Sequence, residues 1–262
     1  MNRIDERFAK VKADGRKALI TFLTVGDPNL EVSEKAIYTM QEEGVDLIEL
    51  GVPFSDPAAD GPVIQRADER ALAQGVDIFK VFELVRKIRN NVEVPMVFLL
   101  YYNVMVQYGI EKFFKCCQET GVDGLIIPDL PYEESDEIKE YTEKYGVYQI
   151  SLVSPTSKDR IKNIAKDAKG FLYCISSLGV TGEKSSFVTN FDEFVGTIKK
   201  YTDVPACVGF GVSNGEQVKE LTKYFDGAIV GSAIVKSIAT GESVEERINN
   251  LRAKIKDLKS GL

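Results

Sequence analysis

The sequence predicts an α/β fold, a single-domain (β/α)8 TIM barrel spanning residues 1–262. Three observations predict it. Short apolar runs alternate with amphipathic segments from one end of the chain to the other. Eight such units in 262 residues average roughly 33 residues each, the size of one βα repeat. No linker-like or low-complexity stretch divides them. The rival is a doubly wound open sheet. It usually carries a glycine-rich dinucleotide turn after its first strand, and Thr24-Val25-Gly26-Asp27-Pro28 is not one.

The units follow in order. The charged segment Met1–Lys17 holds no apolar run, so it is no signal peptide, and it is expected to add an extra N-terminal helix. The first strand, Ala18–Thr24, precedes a helix over Leu30–Glu43, with Val32, Ala36, Ile37 and Met40 at helical spacing. The second, Leu47–Leu50, precedes Asp77–Asn90, with Ile78, Val81, Phe82, Val85 and Ile88 on one face. Strands at Met96–Leu100, Gly124–Ile127, Val147–Leu152 and Gly170–Ile175 alternate with helices at Glu111–Thr120, Glu133–Tyr145, Asp159–Asp167 and Asn190–Tyr201. Ala206–Val208 precedes Asn214–Tyr224. Ala228–Val230 precedes a short helix at Ala233–Ser237 and a last helix at Val244–Leu258. Each strand is an apolar run bounded by turn residues, the pattern of strands buried on both faces. Asn190-x-x-Glu193, Ser213-x-x-Glu216 and Ser243-x-x-Glu246 read as capping boxes, and Gly44, Gly121 and Gly146 as C-terminal caps.

Composition narrows the function. With 44% hydrophobic and 28% charged residues the chain is globular with a sizeable core. A net charge of −7 argues against nucleic acid and gives no long-range attraction for an anion, so any anion site must be built locally. No segment reaches the ~18 consecutive apolar residues of a membrane span, and a cytoplasmic location is expected. Cys116, Cys117, Cys174 and Cys207 form no C-x-x-C pair and are expected to be reduced and buried. Histidine is absent, which removes Ser-His and Cys-His pairs and histidine-based zinc sites. No metal is expected. Acid–base chemistry falls to Asp, Glu, Tyr, Lys or Cys.

In a barrel the loops after the strands form the functional face. After the seventh strand comes Gly209-Phe210-Gly211-Val212-Ser213, and after the eighth Gly231-Ser232 opens the short helix. These two glycine turns suit a phosphate at a helix N-terminus; tight βα turns without ligand are the alternative. Glu49 lies among Leu47, Ile48 and Leu50, where desolvation raises a carboxylate toward the general acid–base range. A structural ion pair or loop cap is its other reading. Asp60 stands in Ala58-Ala59-Asp60-Gly61, where an Asx turn is the commoner fate. Asp27 and Asp129 are read as turn residues beside prolines. The long loop Ser176–Thr189 reads as a lid or as plain surface. Phe22, Leu100, Tyr102, Tyr173 and Phe210 stand at or near strand ends, either as core or as walls of an apolar pocket.

Ile48-Glu49-Leu50-Gly51-Val52-Pro53-Phe54-Ser55-Asp56-Pro57 through Ala59-Asp60-Gly61-Pro62 resembles the signature of the tryptophan synthase α subunit family. So do Phe22-Leu23-Thr24-Val25-Gly26-Asp27-Pro28, Pro128-Asp129-Leu130-Pro131, Gly179-Val180-Thr181-Gly182 and both glycine turns, in family order from residue 22 to 235. The resemblance implies retro-aldol cleavage of indole-3-glycerol phosphate to indole and glyceraldehyde 3-phosphate. It implies Glu49 as general acid–base and Asp60 as the carboxylate on the indole N–H. It puts Phe22, Leu100, Tyr102, Ile126, Tyr173 and Phe210 in the indole pocket and Gly182, Gly211, Gly231 and Ser232 at the phosphate. Thr181 would orient Asp60 as the lid closes. It implies no cofactor in this chain, and a pyridoxal-phosphate β subunit in an α2β2 heterotetramer that receives the indole. Asp56 and Asn103 are its expected contacts. The chain departs from the family pattern at Tyr101-Tyr102-Asn103 and at Ser177-Leu178, where an Arg-Ala pair is common. The absence of histidine and of a strand-end lysine fits a reaction in which the indole ring is its own electron sink. Another phosphate-binding barrel of amino-acid biosynthesis, and a catalytically idle activating subunit, are the alternatives.

Overall fold

The computed structural model describes residues 1–175, 190–209 and 211–262. Nine parallel strands are found among them: β1 (Ala18–Thr24), β2 (Leu47–Gly51), β3 (Met96–Leu99), β4 (Gly124–Ile126), β5 (Tyr148–Gln149), β6 (Ser151–Val153), β7 (Leu172–Ile175), β8 (Ala206–Gly209) and β9 (Gly227–Val230). The hydrogen-bonded order is β5-β4-β3-β2-β1-β9-β8-β7-β6. Its two ends, β5 and β6, are joined by Ile150 alone, whose N–H donates to the Leu125 carbonyl at 2.8 Å. They are halves of the expected fifth strand, one paired with β4 and the other with β7. The sheet therefore closes into a nearly complete barrel.

The helices among the described residues are α1 (Arg3–Ala13), α2 (Leu30–Glu42), α3 (Pro62–Ala73), α4 (Ile78–Ile88), α5 (Tyr102–Tyr108), α6 (Ile110–Thr120), α7 (Asp136–Tyr145), α8 (Ile161–Asp167), α9 (Phe191–Ile198), α10 (Gly215–Leu221), α11 (Ser232–Ala239) and α12 (Val244–Lys259). Two of them, α3 and α5, were not expected. The sequence before α3 reads as loop, and its cap is Gly61 with no side-chain bond, followed by Pro62 at the first helical position. α5 has only seven residues, too short for a periodic signal. One capping box is displaced by a residue. Asn214, not Ser213, accepts the Gln217 N–H at 2.9 Å, and the Gln217 side chain accepts the Ser213 N–H at 2.7 Å. The caps at Asn190 and Ser243 are where the sequence puts them, as are the positive-φ glycines 44, 121 and 146.

Alternation along the strands sorts side chains into two apolar layers. Ala18, Ile20, Leu47, Val97, Ile126, Ile150, Phe171, Tyr173, Cys207 and Ile229 fill the barrel interior. Leu19, Ile48, Leu50, Phe98, Leu125, Leu172, Val208 and Ala228 pack outward against the helices. Ile4, Phe8 and Val11 of α1 belong to the interior layer, so this helix plugs the end of the barrel where the strands begin. Asn2 caps α1 and donates to the carbonyls of Asp123 and Gly146.

The same end carries a repeated device. Asp46, Asp123 and Asp226 each precede an even-numbered strand of the eight-strand barrel. Their N–H groups donate at 2.8 Å to Leu19, Met96 and Ala206 of the preceding strand. Their carboxylates accept the N–H of those same residues at 3.0, 2.9 and 3.0 Å. A cation closes each: Arg16 on Asp46 through two 2.7 Å bonds, Arg3 on Asp123 at 2.6 Å, and Lys17 and Lys199 on Asp226 at 3.8 and 3.7 Å. The device pins the start of one strand to the start of the next and so fixes register. Asp46→Ala strips an acceptor from a buried N–H and from Arg16, so we expect a loss of about 2–4 kcal/mol. Urea unfolding measures it; a change under about 0.5 kcal/mol, the scale of a neutral surface substitution, would contradict this role for the aspartate.

Candidate active site

Leu47 and Glu49 share the inward face of β2, while Ile48 and Leu50 face the helices. Glu49 therefore projects into the barrel, level with Phe22 on β1 and Val97 on β3. It is 1% exposed, and among the described residues no hydrogen-bond partner reaches its Oε1. Burial disfavours the anion and pushes the carboxyl up to about 8. Across the barrel, Tyr173 and Cys207 feel its charge, and burial holds both well above their ordinary ranges.

Asp60 is half-buried at the mouth, in the loop between β2 and α3. The Tyr101 hydroxyl donates to its Oδ2 at 2.7 Å and accepts the Ala59 N–H at 2.9 Å. The Tyr101 ring stacks on Phe54 with centroids 5.1 Å apart. Burial raises the Asp60 carboxyl and the Tyr101 bond opposes the rise. α3 anchors this loop. Gln65 donates to the Asp60 carbonyl at 2.8 Å, and Arg70 grips Asp27 of the loop after β1 through bonds of 2.7 and 2.9 Å. Asp27 is thus the buried partner of an arginine.

Apolar walls rise around the two carboxylates. Phe22, Ala67 and Val235 cluster at the mouth with Val63, Ile64 and Leu99. Ile126 and Tyr173 lie in the interior layer below. Two glycines make room for rings: a Cβ on Gly51 would meet Phe22 at 2.5 Å, and one on Gly209 would meet the Tyr173 hydroxyl at 2.6 Å. Two expected pocket residues are placed elsewhere. Leu100 packs in the shell between barrel and helices, and Leu99 is the β3 residue of the mouth cluster, because alternation turns Leu100 outward. Tyr102 starts α5, its N–H bonded to Asp129 at 2.9 and 3.1 Å and its hydroxyl to Glu137, so it points toward α7. Tyr101, one residue earlier, is the tyrosine that reaches Asp60; Thr181, Gly182 and Phe210 lie outside the described residues.

Gly231 caps α11 without a side-chain bond and stands against Phe22 at the mouth, and Ser232 is the first residue of that helix. Gly211 has φ +78°, a value glycine adopts freely. Asp56 and Asn103 are exposed, the former beside a hollow of about 420 Å³ lined by Phe54, Pro57, Glu69 and Leu72. A larger groove of about 660 Å³ lies between α7 and α8, away from both carboxylates. All four cysteines are free and buried. Among the described residues no cluster of three or more Cys, Asp or Glu is arranged to hold a metal, and no helix is long and apolar enough to cross a membrane.

The Tyr101 hydrogen bond favours the charged form of Asp60, so Tyr101→Phe should raise the Asp60 pKa further. Carbon-13 NMR of labelled aspartate measures it; an unmoved or lowered Asp60 titration would contradict the contact.

The tryptophan synthase alpha chain family model matches residues 8–262. The chain is 48% identical over 262 residues to a tryptophan synthase alpha chain of Thermoanaerobacter sp., covering all of both chains. It is 48% identical over 238 residues to one of Methanocaldococcus jannaschii, covering 90% of this chain and 84% of that one. Among solved structures it is similar to a protein of Aquifex aeolicus, with TM-score 0.90 and 39% identity over 100% and 99% of the two chains. It is also similar to Mycobacterium tuberculosis tryptophan synthase, with TM-score 0.89 and 35% identity over 99% and 98%. The chain belongs to the tryptophan synthase alpha chain family, the lyase of tryptophan biosynthesis that cleaves indole-3-glycerol phosphate to indole and glyceraldehyde 3-phosphate.

Proposed function

We propose that Glu49 moves both protons of the cleavage and that Asp60 holds the charge that develops between them. The observation that carries this reading is Glu49 itself, a buried carboxyl inside the barrel with one oxygen unpartnered among the described residues. Raised to about 8, it is protonated at neutral pH and can deliver its proton to indole C3. Positive charge then appears on the ring nitrogen. Asp60, half-exposed and bonded to Tyr101, is suited to stabilise that charge as an anion. The Glu49 carboxylate next takes the hydroxyl proton from the side-chain carbon attached to C3. The carbonyl forms, the carbon–carbon bond breaks, and its electron pair restores the aromatic ring. No cofactor enters these steps.

The mouth cluster of Phe22, Val235 and Leu99, with Ile126 and Tyr173 below, suits a flat apolar ring. The substrate phosphate fits the uncapped N-terminus of α11 at Gly231 and Ser232, with Gly211 and Gly182 as its further neighbours. Thr181 is assigned to orient Asp60. The whole chain, residues 1–262, acts as one barrel in the cytoplasm. Glu49→Gln keeps the shape and removes the proton carrier, so turnover should fall by about 10²–10⁴-fold. Asp60→Asn should lose on the order of 10²–10³-fold. Stability supplies an independent readout. Because Glu49 titrates higher folded than unfolded, its contribution is present below about 4.5 and is lost as pH rises toward 8. Glu49→Gln should therefore stabilise the protein at pH 8 but not at pH 4. Full turnover in Glu49→Gln, or equal stability differences at both pH values, would contradict the assignment.

A tryptophan synthase β subunit is the family partner. We assign it pyridoxal phosphate and an α2β2 assembly, and place it on the loop face beside the mouth, so that indole passes on without entering water. Asp56, exposed next to the hollow at Phe54 and Leu72, and Asn103 on α5 are the contacts. Asp56→Ala should weaken activation by β while the isolated activity holds. Activity titration with β decides this, and unchanged activation would refute the contact.

A further inference from the structure

Behind Asp60 lies a second carboxylate that the mechanism leaves unused. Asp68 of α3 is 4% exposed. Among the described residues its one hydrogen bond from a side chain comes from Thr24 Oγ1, at 3.3 Å. The Phe54 N–H, in the same loop as Asp60, also faces it. Around it stand Asp60 from that loop and Asp27 from the loop after β1, both acidic, and its charge is felt at Tyr101 at the head of α5. No cation among the described residues balances it. Arg70, two residues along α3, is held by Asp27, and Lys236, the one titratable group of α11, which packs on α3, is exposed. β1 contributes only Thr24.

A buried acid that faces two acids and neutral donors breaks the usual rule for charge burial. Such breaches concentrate at functional sites. A serine, threonine or asparagine would keep the bond to Thr24 without that cost. We propose that Asp68 is a positioning residue for the cleavage: its carboxyl sets the negative potential that Asp60 presents to the substrate's ring nitrogen, so that one proton at Asp68 tunes turnover. The inference rests on the reading of Asp60 given above. Burial first and the Asp60 charge second raise Asp68 to about 7, so it changes charge across neutral pH. Below that, its proton leaves the negative charge to Asp60 alone. Above it, a second negative charge stands behind the first and favours the cationic ring.

The test compares wild type, Asp68→Asn and Asp68→Ser, each saturated with β subunit, by kcat/KM for indole-3-glycerol phosphate from pH 5.5 to 8.5. The ratio of wild type to either variant cancels the titrations of Glu49 and of the substrate phosphate. It should grow by roughly three- to tenfold through a midpoint near 7, the effect of one charge sensed across a partly solvated site. The melting temperature gives a second readout. The raised carboxyl stabilises the fold below about 4 and loses that contribution as pH rises through 7, so Asp68→Asn should gain on wild type between pH 5 and 8. A ratio constant across the range, whatever its size, would overturn the proposal and leave Asp68 purely structural. Asp60→Asn run alongside separates the two readings. If it retains turnover, the role of Asp60 falls and this inference with it; if it does not and the Asp68 ratio stays flat, only this inference falls.

Discussion

The site depends on one constraint: a carboxyl group kept dry inside a nearly closed sheet. Glu49 sits within the parallel ladder, and its flanking residues, Phe22 and Val97, are apolar. No described cation reaches it, so a proton is what neutralises it. The surrounding architecture keeps the space dry. α1 plugs one end with Ile4, Phe8 and Val11, and the bonds of Asp46, Asp123 and Asp226 hold the strand starts in register beneath the site. At the other end Gly51 and Gly209 thin the wall so that the Phe22 and Tyr173 rings lie over the interior.

The second carboxylate is built by opposite means. Asp60 rides on a loop, keeps contact with water and accepts a hydrogen bond from Tyr101. Its position comes from α3, which is tied to the first βα loop through Arg70 and Asp27 and to the end of β1 through Asp68 and Thr24. Burial raises both carboxyls, Glu49 strongly and Asp60 against the opposing Tyr101 bond, and a pair shifted to different extents can divide acid and anion roles. Dry strand and braced loop thus give the two carboxyls different surroundings, and the proposed division into proton carrier and charge holder builds on that difference.

The barrel was legible because its strands are buried on both faces, which leaves compact apolar runs, and because βα spacing is regular. The burial of Glu49 was legible for the same reason: a lone acid in an apolar run is carried into the barrel with its strand. The misses have local causes. Ile150 turns one expected strand into two pairing segments, a matter of closure that periodicity does not record. α3 opens from a proline- and glycine-rich motif, which hides a helix that begins with Gly61 and Pro62. The pair Tyr101-Tyr102 reads alike in the sequence, but the chain turns at the start of α5 so that Tyr101, not Tyr102, reaches Asp60. The Leu99–Leu100 pair failed likewise, by one step of strand alternation. Asp68 carried no signal, since an acid on a helix ordinarily faces water.

The central claim concerns the proton on Glu49, and direct titration of that carboxyl tests it. Carbon-13 labelled glutamate, with the Glu49 resonance assigned by its disappearance in Glu49→Gln, can be followed from pH 4 to 10. A midpoint near 8 is predicted, with the group protonated at neutral pH. A midpoint near the ordinary glutamate value of about 4.3 would mean that the interior is wet or that a cation reaches the carboxylate, and would contradict the account.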